Sequence, residues 1–555
     1  EPQPPPVTRS LCLEADCRVD AQWQVLKTLS GSDLEALLQS IRALQPEAVA
    51  VNLVFSFLDA DDEKRIEHAI KETFPEIFIS RSSAVLPEYK EYARGIATWL
   101  NAWVGPLVQG YIKRLMQGVA PAQVAVMQSS GGTMAAANAA EHAVRMLLSG
   151  PAGGLAGAKF IADRGDIGSL LTFDMGGTST DVAVIEGDLL LTNEGQIGDY
   201  PVAIPMVDMH TIGAGGGSIA AVDEGGILQV GPESAGARPG PACYLQGGNL
   251  PTVTDANLIL GRLLATSFLG GEMSLDIAAA RHALRPLAKK LSLSVEATAQ
   301  GIIQLANEHM SRALRVMSIQ RGIDPQQLIL VPFGGAGGLH VCALADNLGM
   351  KQALVPIHAG VLSALGMVVA PHSRELSHTI NTLLDGVDEA IVIRQLELLA
   401  VKGRKELTDE GIAAEDMKVC FSVDLRYKGQ SYTLNVPWEG SRNSIESFHR
   451  LHQKRFGHQH QQPVELVNVR VKVSAPCLPI NLPILPMAKQ PPQLNTSAEV
   501  YGIEKKVAVY QREQLLHGQT MSGPVLIVEQ VATNWVEKNW NVRVDRYGNL
   551  LLQRE

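Results

Sequence analysis

Leu170-Leu-Thr-Phe-Asp-Met-Gly-Gly-Thr-Ser-Thr-Asp-Val-Ala-Val-Ile185 is the stretch on which the fold turns. Its two apolar runs, Leu170–Phe173 and Val182–Ile185, flank Asp174-Met-Gly-Gly-Thr-Ser-Thr-Asp181, and Glu186-Gly-Asp188 turns the chain again. That pattern predicts a strand–turn–strand hairpin. Consecutive glycines (Gly176, Gly177) let a backbone come close to a phosphate and aim its N–H groups at the oxygens, while Thr178, Ser179 and Thr180 add hydroxyl donors. An aspartate at the strand end, Asp174, suits a Mg²⁺ ion beside those phosphates. A lone Gly-Gly would be read as a tight turn. With an acid before it, three hydroxyl residues after it and a strand on each side, a nucleotide polyphosphate site is the better reading. The loop is not a P-loop, because no Gly-x-x-x-x-Gly-Lys-Ser/Thr occurs in the chain.

Outward from the hairpin, strand and helix patterns alternate. Residues 47–57 are a β-rich apolar run, and Asp59–Thr73 has the acidic start and spacing of an amphipathic helix. A long helical pattern covers 88–118 through Tyr92, Ile96, Trp99, Trp103 and Leu107, and Val124–Gln128 returns to strand. Ser149–Ala158 reads as a loop entering a small-residue helix that can pack closely on a neighbour. Glu296–Gln320 is helical with Gly322 placed as its cap, Leu328–Pro332 is a buried strand, and Leu339–Leu348 is the next helix. This alternation predicts an α/β layered fold. Past about residue 371 the pattern becomes α+β, with a helix at 390–411 and strand-like alternation at 419–436.

The 555 residues correspond to roughly three to five domains or lobes. A content of 46% hydrophobic and 19% charged residues excludes disorder for the bulk, and no apolar run approaches the roughly 20 residues of a bilayer span. The net charge of −10 argues against nucleic acid as the main partner. Six scattered cysteines without a Cys-x-x-Cys pair point to a reducing, cytoplasmic compartment and to no structural zinc. Residue 1 is Glu, and Glu1-Pro-Gln-Pro-Pro-Pro6 reads as a stiff, extended opening, so the numbering is expected to begin inside a longer polypeptide.

Further loops carry candidate chemistry. Phe333-Gly-Gly-Ala-Gly-Gly-Leu-His340 lies between a strand and a helix, where Gly334, Gly335 and Gly337 would admit a base or ribose, or close strand–helix packing; His340 is more simply a satisfied helix histidine. Gly213-x-Gly-x-x-Ser218 lacks the last glycine of a dinucleotide fingerprint. Asp208 and His210 lead into that glycine loop and are candidates for contact with substrate or phosphate, against ordinary loop hydrogen bonding. His449, His452, His458 and His460 make a metal cluster by count, but no softer ligand or regular tetrahedral spacing accompanies them. Arg94 and Arg145 fit anion contacts or structural ion pairs equally.

Ser149-Gly-Pro-Ala-Gly-Gly154, Asp174–Asp181, Asp208–Ser218, Gly231–Tyr244, Thr252-Val-Thr-Asp-Ala-Asn257, Phe333–His340, Gly360–Gly366, Asp424–Gln430 and Pro463–Arg470 together closely resemble the hydantoinase A/oxoprolinase family, nearly the whole chain through. The resemblance implies an actin-like ATPase fold with ribonuclease H-like lobes and an appended α+β C-terminal region. The expected division is a partial first lobe at 1–165, a second actin-like lobe at 166–375 and a C-terminal α+β domain at 376–555. It implies ATP and Mg²⁺ as cofactors, Asp174, Gly176, Gly177 and Thr178 as the phosphate loop, and Gly334, Gly335 and Gly337 on the adenosine side. It also implies that ATP phosphorylates the carbonyl oxygen of a cyclic amide or ketone, commonly with a B-type hydantoinase subunit in an oligomer.

The family's second Asp-x-Gly-Gly-Thr loop, near the amino terminus, has no counterpart between Glu1 and Gly165, and the resemblance begins near Arg18-Val-Asp20. The leading expectation is an ATP-dependent amidohydrolase subunit acting on hydantoin- or 5-oxoproline-like rings. An ATP-dependent ketone carboxylase subunit, and a nucleotide-binding scaffold without turnover of its own, remain the alternatives.

Overall fold

The computed structural model describes residues 6–555 apart from Gln22, Ser267 and Leu478. The extended opening expected at Glu1–Pro6 therefore lies, through residue 5, outside the described residues.

The chain forms two compact units, each assembled from three separated stretches. One comprises residues 153–190, 208–369 and 478–555. Its sheet grows from the hairpin: Leu170–Met175 pairs antiparallel with Thr180–Glu186, which pairs with Met209–Ile212. Ile329–Phe333 then lies parallel on the other side of Leu170–Met175, and Gln352–Val355 parallel beyond it. Taken in chain order these five strands stand 3-2-1-4-5, the ribonuclease H-like arrangement expected. Leu170, Leu171, Phe173, Val182 and Leu330 are wholly buried, the burial expected of a sheet covered on both faces.

The sheet continues into the carboxyl terminus, because Leu550–Arg554 pairs antiparallel with Gln352–Val355 and Trp540–Val544 pairs with Leu550–Arg554. A separate four-stranded sheet, which includes Val525–Val528 and Thr533–Val536, belongs to the same unit. Helix Val295–Met317 is amphipathic, with Ile302, Met310, Leu314 and Met317 buried, and the expected cap Gly322 ends the short helix after it in a left-handed conformation. The small-residue helix runs from Ser149 itself to Arg164, and Gly153 and Gly157 lie against the carbonyls of Ser363 and Leu362.

The other unit comprises residues 1–152, 191–207 and 370–477. It contains the parallel pair Ala48–Val51 and Phe78–Arg81 with helix Asp61–Thr73, and helix Glu91–Val119. Its six-stranded sheet centres on Val464–Ala475 between His372–Leu383 and Lys418–Tyr427. Helices Glu389–Asp409 and Ser441–Phe456 bury Val392, Leu396, Leu407 and Phe448 in the core shared with this sheet.

The stretch expected as one domain at 376–555 is thus divided. Residues through 477 join the first 152, and those after it join the hairpin's unit, because the strands on each side pair into different sheets. No helix among the described residues is long and apolar enough to cross a membrane.

Candidate functional site

The hairpin loop is built by its register. Met175 pairs with Thr180, so four residues, Gly176–Ser179, make the turn, closed by a hydrogen bond from the Gly176 N–H to the Ser179 carbonyl. The Gly176 and Gly177 carbonyls accept from the Gly216 and Gly217 N–H groups. The N–H groups of Gly177, Thr178 and Ser179 find no acceptor among the described residues, and Gly176, Gly177 and Thr178 are exposed. Three adjacent unengaged backbone donors at one turn are the groups with which a loop can bind an anion. Thr180 contributes differently, since it is buried and its hydroxyl donates to the Ala214 carbonyl.

Two glycines fix this loop from outside it. Gly215 lies so close that a methyl there would stand 2.8 Å from the backbone of both Gly177 and Thr178. Gly334, at φ +77°, takes the left-handed conformation that only glycine adopts freely, and a methyl on it would overlap the Asp174 carboxylate.

Asp174 stands opposite Asp181 across the hairpin, and Asp181 stands opposite Thr211 on the next strand. All three side chains therefore share one face. The Thr211 hydroxyl donates to Asp181. Burial, and then the Asp181 charge, raise the Asp174 carboxyl to about 6. Burial likewise raises Asp181, with the Thr211 hydrogen bond opposing it. Two carboxylates held together, with no cationic side chain beside them among the described residues, suit a divalent ion, which would favour both charges.

A cavity of about 190 Å³ opens beside the loop, lined in part by Gly176, Gly177, Gly216, Tyr244, Asn257 and Gly335. Leu339, Glu529 and Thr533 also line it. It is smaller than the roughly 300–1,000 Å³ that encloses a drug-sized ligand, so it fits one end of such a molecule. The buried Oδ1 of Asn257 has no hydrogen-bond partner among the described residues. An orphaned acceptor on a cavity-lining residue can take a donor from a ligand. The free amides, the paired carboxylates and this acceptor fit a nucleotide with a divalent cation.

The structure thus brings Asp174, Gly176, Gly177, Thr178, Ser179, Gly334 and Gly335 together. It does not bring His210 with them: His210 pairs with Val182, neighbour of Asp181, and so projects from the opposite face of the sheet. Asp208 is held by Arg321 in a two-point ion pair. Gly337 is not among the cavity's lining residues and packs on Pro332 and Phe173, where a methyl would stand 3.2 Å from Pro332. His340 is not the fully satisfied helix histidine expected: it stands just before the helix Val341–Leu348, its Nδ1 meets Asn307 at 2.6 Å, its buried Nε2 has no partner among the described residues, and burial, then Arg262, hold its pKa down at about 3. Arg94 is occupied by backbone, donating to the carbonyls of Glu88 at 3.0 Å and Leu53 at 2.8 Å. Burial, opposed by Glu406, lowers Arg145. Asp181, Tyr244 and Asn257 lie in the quoted motifs without having been assigned to a site, while Glu529 and Thr533 carry no local signal.

A protein-family model described as Hydantoinase/oxoprolinase matches residues 94–375, and one for the Hydantoinase/oxoprolinase N-terminal region matches residues 3–74, upstream of where the resemblance was expected to begin. The caprolactamase subunit alpha of Pseudomonas jessenii is 34% identical over 95% of this chain and 79% of that protein. The 5-oxoprolinase PfmaA of Pestalotiopsis fici is 32% identical over 98% of this chain, which spans 44% of that longer protein. The crystal structure of the ATP-dependent caprolactamase from Pseudomonas jessenii superposes with a TM-score of 0.86 at 32% identity, over 99% of this chain and 83% of that one. This chain shares with that structure an α/β fold of the actin-like ATPase type.

Proposed function

The chain belongs to the hydantoinase/oxoprolinase family, and from that premise we propose that it is the nucleotide-handling subunit of an ATP-dependent amidohydrolase opening hydantoin-, 5-oxoproline- or lactam-type rings. The observation that carries this reading is the Gly176–Ser179 turn, with three unengaged amide donors beside the Asp174–Asp181 pair. Opening an unstrained cyclic amide is thermodynamically poor, which is the physical reason for coupling it to a nucleotide. ATP with Mg²⁺, when bound, supplies the phosphoryl group that activates the amide carbonyl toward water.

This chain's residues have separable parts in that reaction. The N–H groups of Gly177, Thr178 and Ser179 donate to phosphate oxygens, placing fixed dipoles where charge gathers during transfer. Asp174 and Asp181, facing each other across the hairpin, would hold the cation. The cavity takes the base end, with Tyr244 and Leu339 as apolar walls and Asn257 and Glu529 as polar partners. Gly215 and Gly334 keep the loop and the Asp174 carboxylate in place.

The test is phosphate release from ATP–Mg²⁺, with and without a B-type hydantoinase subunit, over a panel of hydantoins, 5-oxoproline, lactams and ketones with bicarbonate. Ring-dependent phosphate release with an opened amide as product supports the proposal. A carboxylated ketone would assign the carboxylase branch, and tight nucleotide binding without release under any condition would reduce the chain to a scaffold.

A further inference from the structure

The other unit holds a cluster that this reaction does not use. His452 is buried on helix Ser441–Phe456, and His458 and His460 lie in the exposed segment after it. Gly457, in the left-handed conformation at φ +80°, caps the helix and reverses the chain, so residues six and eight positions on return to His452. One ring nitrogen from each of the three imidazoles lies within 4.8 Å of the others.

Two of the rings are oriented as metal ligands are. The Nδ1 of His452 is 2.8 Å from the His458 carbonyl, and the Nδ1 of His458 is 3.0 Å from the Phe456 carbonyl. A carbonyl only accepts, so each Nδ1 carries the proton and each Nε2 keeps its lone pair. This backbone-anchored tautomer is the usual outer partner of a metal-bound imidazole. The Nε2 atoms of His458 and His460 then face each other at 3.2 Å. Two nitrogens bound at 2.0–2.1 Å to one tetrahedral ion stand about 3.3 Å apart. Tyr427 walls the site, its ring edge-on to His452 at 5.0 Å and to His460 at 5.1 Å.

We infer that His452, His458 and His460 bind a divalent transition metal of the zinc class, as three imidazoles with a fourth position open to water. An all-imidazole set selects such an ion and not Mg²⁺, which prefers carboxylate and water. The site is therefore chemically distinct from the cation expected at Asp174. Bound metal ties the 457–460 segment to the end of the helix. The alternative is a bare N–H···N hydrogen bond between His458 and His460.

The test uses the full chain, stripped with chelator and titrated with Zn²⁺ and with Co²⁺. The expected result is one equivalent bound with a Kd of about 10 µM or tighter, tetrahedral d–d bands for Co²⁺ and a raised Tm. His458→Ala/His460→Ala, at two exposed positions where folding is not at stake, should weaken binding by at least about 100-fold. His68→Ala, a histidine on a different helix, should leave it unchanged. Binding weaker than that limit, or undiminished in the double variant, overturns the inference.

Discussion

Asp174 and Asp181 face each other across the Leu170–Glu186 hairpin in direct register, and the pair carries the first consequence to be measured. Each carboxyl is raised from its ordinary value, first by burial. With Asp174 at about 6 against 3.8 unfolded, the folded chain holds this proton more tightly than the unfolded one. Stability therefore falls as pH rises through roughly 4 to 6, and the full cost remains above that window. The shift alone corresponds to roughly 3 kcal/mol, which solvent screening of a half-buried group trims to about 1–2 kcal/mol.

Asp174→Asn should accordingly raise the stability of the metal-free protein by about that 1–2 kcal/mol at neutral pH, read from denaturant unfolding with EDTA present. The same variant should lose Mg²⁺-dependent phosphate release by more than about 100-fold. Turnover at the wild-type rate would remove Asp174 from the mechanism.

Gly215 lies outside the left-handed region, so a side chain there meets only a steric objection. Gly215→Ala puts a methyl 2.8 Å from the Gly177 and Thr178 backbone, and that loop must move. The expected outcome is a loss of about 1–3 kcal/mol in stability and roughly tenfold weaker ATP binding by calorimetry. An unchanged ATP affinity would mean that the loop amides do not hold the phosphates.

In the other unit Arg470 lies half-buried between two acids, its Nη2 at 2.6 Å from Asp424 and its Nη1 at 2.9 Å from Glu88. Burial pushes Asp424 up, but Arg470 and the Asn468 and Asn435 amides outweigh it and hold the carboxyl below 3.8. The stability it provides is therefore complete above about pH 4 and is lost as pH falls through the lower folded value. Asp424→Ala should cost about 3–5 kcal/mol, and Asp424→Asn should flatten the acid limb of the stability curve measured by chemical denaturation.

What the sequence made legible was local. The hairpin, its glycines and the strand-to-helix passage at 329–348 are contiguous, so apolar runs and turn residues describe them fully. The facing of Asp174 and Asp181 was implicit in the hairpin and needed only the turn length. The cavity wall was not legible: Glu529 and Thr533 come from some 350 residues downstream, on a sheet whose pairing no local pattern encodes. Irregular spacing argued against the histidine cluster that the count suggested, because ligand spacing rules assume a regular element whereas here a helix cap folds the chain back. His210 illustrates the converse, a residue adjacent in sequence that strand alternation sends to the far face.

Asn257 gives the last expectation, on nucleotide choice. Its Nδ2 donates to the Val253 carbonyl at 3.3 Å, so the oxygen assignment follows from the bonding, and the buried Oδ1 of this cavity-lining residue is left as an acceptor without a donor. An exocyclic amino group such as adenine's would satisfy it, whereas a carbonyl at the same place would meet acceptor with acceptor. Asn257→Leu keeps the bulk, removes the acceptor and should weaken ATP by about 3–10-fold while leaving GTP unchanged or tighter, so that the ratio of the two dissociation constants falls. Competition binding with both nucleotides reads that ratio directly, and a ratio unchanged by the substitution would place the base outside this part of the cavity.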